Sequence, residues 1–259
     1  MDNGTLAWEE VARAHLPDGV LMDLRRQGGT FEICADGLLL MSTQEHGSEE
    51  ALALVGCEGL VGESTVLVGG LGLGYTLRAT LNALDEDATV VVGEILPAIV
   101  EWNQGPLGHL ADHPLFDPRV LLEMGDVGET IRRSPGRFDA MLLDVDNGPK
   151  AFTQAANAGL YGDEGLAECY AALKPGGVLA VWSAWDDKKF EHRLAFAGFL
   201  ASVRHVPARL KKGGKDHTIF VGRKPGDTPG WEAPTSQKLP GERVRGPRVR
   251  TAAGPRRSR

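Results

Sequence analysis

Val66-Leu-Val-Gly-Gly-Leu-Gly-Leu-Gly74 is an apolar run that breaks into a glycine turn, and a helix-forming stretch over 75–84 follows it. Glycine adopts backbone conformations that other residues resist, so Gly69, Gly70, Gly72 and Gly74 permit a tight turn and close approach of a ligand to the main chain. The helix behind the turn offers unpaired N–H groups at its start. A turn without a ligand is the plainer alternative, but the strand before it and the helix after it favour a ligand. The dinucleotide pattern G-x-G-x-x-G fails, because starting at Gly70 its third glycine falls on Tyr75. That argues against a nicotinamide enzyme.

Working outward, the same strand-and-helix rhythm repeats. Apolar runs at Thr65–Gly69, 89–92, Val120–Met124, 140–143 and 178–182 read as buried parallel strands. Helical segments at 75–84, 97–103, 127–133 and 164–173 separate them. This predicts an α/β, doubly wound sheet with its ligand crevice at the carboxyl ends of the strands. After a helical stretch at 188–200, runs at 203–210 and 217–221 predict a terminal antiparallel pair, giving a seven-stranded Rossmann-like sheet. Before the glycine turn, Thr30–Ala35 and Leu38–Ser42 flank Asp36-Gly37, a strong hairpin signal, and a helix follows over 47–60. The expected organisation is a small hairpin cap at 1–62, a ligand-binding domain at 63–223, and a disordered Pro/Gly/Arg tail at 224–259.

Charge and cysteine content narrow the function classes. The net charge of −7 conceals a basic tail: residues 224–259 hold nine Lys and Arg against three Asp and Glu, leaving 19 basic and 32 acidic residues elsewhere. An acidic body lacks the clustered cations that phosphate contacts require, so a dedicated nucleic-acid binder is not expected, although the tail leaves RNA open. No apolar run reaches the length of a membrane span, and the N-terminus lacks the pattern of a signal peptide. Cys34, Cys57 and Cys169 form no metal-type pair and no disulfide framework, which predicts a cytoplasmic protein with no metal.

Four strand ends carry the candidate chemistry. Glu94 closes the second strand 24 positions after Gly70, where a carboxylate can accept both ribose hydroxyls; an exposed strand end is the alternative. Gly125-Asp126 follows the third strand, where Asp126 can meet an adenine amino group, cap the next helix, or do both. Asp144-Val-Asp146-Asn-Gly-Pro149 follows the fourth, and two carboxylates so placed suit a general base or a clamp for a cationic amine. Asp146 also fits ordinary turn chemistry. His46 is a candidate base or simply a helix-start residue, and Trp182-Ser-Ala-Trp185 is a candidate wall.

Residues 36–223 resemble the spermidine synthase-like branch of the class I S-adenosylmethionine-dependent methyltransferase superfamily. The resemblance rests on Gly69-Gly-Leu-Gly-Leu-Gly74, Glu94, Gly125-Asp126, the Asp144-to-Pro149 segment and Lys174-Pro-Gly-Gly177. It implies an adenosyl donor with Glu94 on the ribose, Asp126 near the adenine and Asp144 in the catalytic position. Three departures stand out. The family's glycine motif carries an Asp that holds the donor's amine, whereas this stretch offers Leu71 or Leu73. Its Tyr-His/Gln-Glu motif is replaced by His46-Gly-Ser-Glu49-Glu50, and its Asp-x-x-Asp-Pro by Asp144-Val-Asp146. An ammonium beside leucine is unfavourable, whereas glycine-loop N–H groups could bind the carboxylate of intact S-adenosylmethionine. The resulting expectation is methyl transfer to a small-molecule acceptor, an amine among the candidates. The alternatives are aminopropyl transfer from decarboxylated S-adenosylmethionine and a non-catalytic nucleotide-binding protein. The hairpin cap is the expected surface for a homodimer.

Overall fold

In the computed structural model the strands assemble into two sheets; the structure describes residues 6–16, 19–145, 159–208, 216–227 and 243–245. The main sheet is built on five parallel strands, β5 (Thr65–Gly69), β6 (Thr89–Glu94), β7 (Val120–Met124), β8 (Phe138–Leu143) and β9 (Leu173–Ser183). Two antiparallel strands, β10 (Leu200–Pro207) and β11 (Asp216–Arg223), extend it, and β11 lies between β9 and β10. The order is β12-β10-β11-β9-β8-β5-β6-β7, so the chain reverses its winding direction between β5 and β8. The predicted seven-stranded sheet with its terminal antiparallel pair is therefore present. An eighth strand, β12 (Arg243–Arg245), adds three residues of the tail to β10, with Val244 opposite Arg204. Tail composition gave no sign of it, because so short a strand takes its order from the sheet edge it joins.

Apolar side chains fill both faces of this sheet. Along each central strand they alternate, Val66 and Val68 to one side and Leu67 to the other. The first face packs on α1 (Gly47–Gly56), α2 (Tyr75–Ala83) and α3 (Pro97–Gln104). The second packs on α4 (Val127–Arg132), α5 (Asp163–Ala172) and α6 (Lys188–Phe196), with Ile131, Leu166, Phe190 and Leu194 buried there. Each such side chain contributes roughly 1.5–3 kcal/mol of burial. Helix α1 lies close on β8: a Cβ at Gly56 would stand 1.9 Å from Leu142 Cδ2, so no larger residue fits. Helix α6 stops earlier than expected, before Gly198 at φ +100, where the chain turns into β10.

The cap is larger than a hairpin. Strands β1 (Glu9–His15) and β2 (Leu21–Gln27) precede β3 (Thr30–Ala35) and β4 (Leu38–Ser42) in one four-stranded antiparallel sheet. Met22 and Leu24 alternate with Asp23 and Arg25, so β2 buries one face, while Arg25 pairs across the strands with Glu32 at 2.7 Å. Leu38, Leu39 and Leu40 on the outer strand β4 are exposed. Among the described residues no helix is long and apolar enough to cross a membrane. All three cysteines are buried and free, and burial pushes the Cys57 and Cys169 thiols up to about 12. Such thiols are inert as nucleophiles at neutral pH.

Candidate active site

The glycine turn, Glu94, Gly125-Asp126 and Asp144 all lie at the carboxyl edge of the parallel strands, and β5 and β8 meet at the winding reversal. This is where open α/β sheets form their ligand crevice. Gly70 has φ +88, and a Cβ there would stand 2.5 Å from the carbonyl oxygen of Asp144. Only glycine lets the two strand ends come so close. Asp144 N–H donates to the Gly69 carbonyl and Gly70 N–H to the Gly93 carbonyl, each at 2.9 Å, which ties three strand ends together.

Glu94 is buried, and both its oxygens accept main-chain hydrogen bonds. Oε2 accepts from Leu71 N–H at 2.9 Å and Oε1 from Leu96 N–H at 2.8 Å. Its carboxylate thus holds the glycine turn in shape. Asp126 is exposed and caps α4, accepting from Gly128 N–H at 2.7 Å. The capping role is therefore present beside the same edge. Asp146 lies outside the described residues, as do 209–215 and the tail beyond β12.

The charge of Asp144 acts on an acid of the His46-to-Glu50 segment. Glu49, in the first turn of α1, lies within reach of that charge, and both are half-buried. Burial raises the Asp144 carboxyl to about 6, against a lowering by the Thr76 hydroxyl, which donates to Oδ2 at 3.0 Å. Glu49 is held well above the usual carboxylate range by burial first, then by the charges of Asp144 and Glu50. The Tyr75 phenol is raised by burial and by Glu49 and Glu50. His46 stacks on Tyr75, with ring centroids 4.2 Å apart, and its Nδ1 lies 2.8 Å from Glu50 Oε1. These contacts join the turn before α1 to the start of α2. A cavity of about 300 Å³ between α1 and α2 shares Glu50 and Tyr75 with the site but reaches neither Asp144 nor Glu94.

Trp182, at the end of β9, donates through Nε1 to the buried Ser48 hydroxyl at 3.0 Å, and Ser48 Oγ lies 2.8 Å from His217 Nδ1. An indole N–H can only donate, so Ser48 Oγ accepts from Trp182. This network fixes the residue next to Glu49. Among the described residues, no cluster of three or more His, Cys, Asp or Glu could hold a metal ion.

No family model matches the chain. Over 148 residues it is 29% identical to the polyamine aminopropyltransferase of Leptospira biflexa serovar Patoc, in each of two strains; the match covers 56% of this chain and 50% of the relative. The chain thus spans about half the length of the curated relatives it matches. Among solved structures it superposes on spermidine synthase from Thermotoga maritima with a TM-score of 0.66 at 19% identity, covering 84% of this chain and 73% of that one. The fold is that of the spermidine synthases. A spermidine synthase bound to the transition-state analogue AdoDATO matches equally, with the same TM-score, identity and coverage. A probable spermidine synthase from Corynebacterium glutamicum gives a TM-score of 0.54 at 16% identity, covering 88% and 83%.

These relatives overturn the expectation of methyl transfer, since they carry the names of the other transfer. Leu71 and Leu73, read as lining the donor's amine pocket, are instead buried in the core beneath the turn. The N–H groups of Gly70, Leu71 and Gly74 are turned inward to Gly93, Glu94 and Leu71. What sequence reasoning missed was Thr76. Thr76 directly follows the turn and first residue of α2, a position from which a short hydroxyl reaches the neighbouring strand end.

Proposed function

We propose that the chain is a transferase of the spermidine synthase type, moving an aminopropyl group from decarboxylated S-adenosylmethionine to an amine acceptor. The observation that carries this reading is Asp144, half-buried where β8 meets the glycine turn, with Oδ2 bonded to Thr76 and its charge acting on Glu49. Two carboxyls held close at a raised ionisation range favour a cationic partner, which relieves both burial and mutual repulsion. The aminopropyltransferase relatives support the same reading.

In this proposal Glu94 accepts from the donor's ribose hydroxyls while keeping the turn folded, and Asp126 meets the adenine edge. Asp144 holds the acceptor amine and takes its proton. The amine nitrogen attacks the methylene carbon bonded to the sulfonium, that carbon–sulfur bond breaks, and its electron pair stays on sulfur. The products are the lengthened amine, a proton and methylthioadenosine. Ionised above about 6, Asp144 is competent as a base at neutral pH. Asp146 is proposed as a second carboxylate for the acceptor, and His46 to brace the cleft wall.

The test is incubation of purified protein with a diamine and either decarboxylated or intact S-adenosylmethionine, with chromatography of the nucleosides released. Methylthioadenosine formed only with the decarboxylated donor and the diamine is expected. Turnover of the intact donor alone, or of neither, defeats the proposal.

A further inference from the structure

We propose that Thr76 is the positioning residue for Asp144: its hydroxyl occupies one carboxylate oxygen and leaves the other to meet the acceptor amine. The inference rests on the reading of Asp144 given above and assigns a role to a residue that no motif marks.

Thr76 is buried at the start of α2 and lies 68 positions from Asp144 in sequence. A helical threonine commonly gives its proton to the carbonyl one turn back. Thr80 does so, donating to the Thr76 carbonyl at 2.7 Å. For Thr76 that carbonyl belongs to Gly72, and it accepts instead from Asn103 Nδ2 at 2.8 Å. Asn103 is itself buried and gives its second N–H to the Ile99 carbonyl at 2.9 Å. The Thr76 hydroxyl therefore turns to Asp144 Oδ2 at 3.0 Å. Two threonines one turn apart in one helix thus do different work, one for the helix and one for the site.

The glycine turn makes this reach available. Gly70 lets the Asp144 backbone pass close beneath it, and Thr76 then holds the side chain from the far end of the same turn. Among the titratable groups near the site, Glu49 on α1 feels the charge of Asp144, and Glu49 and Glu50 act in turn on Tyr75 of α2, against which His46 stacks. Against these neighbours, the Thr76 O–H stabilises the ionised form, because a donor to a carboxylate favours its charge.

The experiment compares Thr76→Val, Thr76→Ser and Thr80→Val in the full chain, measuring kcat/KM for the acceptor against pH with saturating decarboxylated donor. A charge-assisted hydrogen bond corresponds to roughly one to two pH units. Thr76→Val is expected to move the acid limb up by about that much, with a roughly two- to tenfold loss at pH 7 that recovers at higher pH. Thr76→Ser is expected to keep the wild-type limb, and Thr80→Val to leave it in place. An unmoved limb in Thr76→Val, or a limb moved equally in Thr76→Ser, overturns the inference. Carboxyl carbon NMR of Asp144 provides a readout independent of turnover, expected to titrate higher in Thr76→Val and unchanged if the inference is wrong. Thr76→Ala replaces Thr76→Val, with the same two outcomes, if circular dichroism shows the valine variant misfolded. Absence of turnover in the wild-type protein would defeat the functional reading alone, since the NMR comparison still decides the role of Thr76.

Discussion

The Asp144 carboxyl ionises only above about 6, because burial raises it from 3.8 further than the Thr76 hydroxyl lowers it. Between those values the folded state binds a proton that the unfolded chain has already released. Stability therefore falls as pH climbs from about 4 to about 6, and the deficit persists above that window. Asp144→Asn removes it. Discounted for the solvent that reaches the group, the gain is about 1–2 kcal/mol, or a few degrees in Tm, at pH 8, and close to nothing at pH 4. Differential scanning calorimetry at the two pH values checks this, and an equal gain at both rejects it. Nucleoside release should disappear in the same variant. Asp144 was legible in sequence because a carboxylate at the end of a buried strand has few purely structural reasons to be there. Asp126 was half legible: the motif placed it at the right edge, but its helix-capping bond is an equally good account of its identity.

Helix α1 brings the second carboxyl, and its role lies in an orientation that the sequence pattern does not carry. The stretch 47–60 was readable as a helix, and 47–56 is one, but Ala, Leu and Glu spread around it did not reveal that Glu49 lies within reach of the Asp144 charge. Long-range packing settles which side is inward: Gly56 against Leu142, 86 positions away, and Ser48 against Trp182 and His217. The N-terminal sheet was similarly underread, since β1 is exposed along most of its length and gives no buried period. A diamine entering between Glu49 and Asp144 favours the doubly ionised pair, so its binding near pH 6 to 7 releases protons to the buffer. Calorimetric titration in two buffers of different ionisation enthalpy measures that release. Glu49→Gln, which copies the protonated side chain in shape and neutrality, is expected to reduce it by most of about one proton. An unchanged buffer dependence would separate Glu49 from the acceptor site.

The whole molecule explains why an α/β sheet of this kind ends in an antiparallel pair. Strand β11 supplies His217, which with Trp182 of β9 grips Ser48 at the start of α1. Strands β10 and β11 supply Arg204 and Arg223, both buried and both bonded to Glu58 Oε2, at 3.1 and 3.2 Å, just past the end of that helix. The pair thus fastens both ends of the element that carries Glu49, while the parallel strands carry the glycine turn, Glu94 and Asp144. One half of the sheet holds the proposed donor groups and the other sets the acceptor wall against them. The two fastenings predict different failures. Glu58→Gln leaves two buried guanidiniums without their shared carboxylate, and is expected to cost toward the lower end of about 3–5 kcal/mol in urea unfolding, with KM for the acceptor little changed in the protein that stays folded. Ser48→Ala deprives the Trp182 indole and the His217 ring of their common partner at a cost of about 1–3 kcal/mol. Because it loosens the turn next to Glu49, it is also expected to raise KM for the acceptor severalfold while KM for the donor holds. Equal rises in both constants, or a rise in Glu58→Gln matching that in Ser48→Ala, would mean that α1 moves as one rigid piece, and that its first turn has no separate hold on the acceptor.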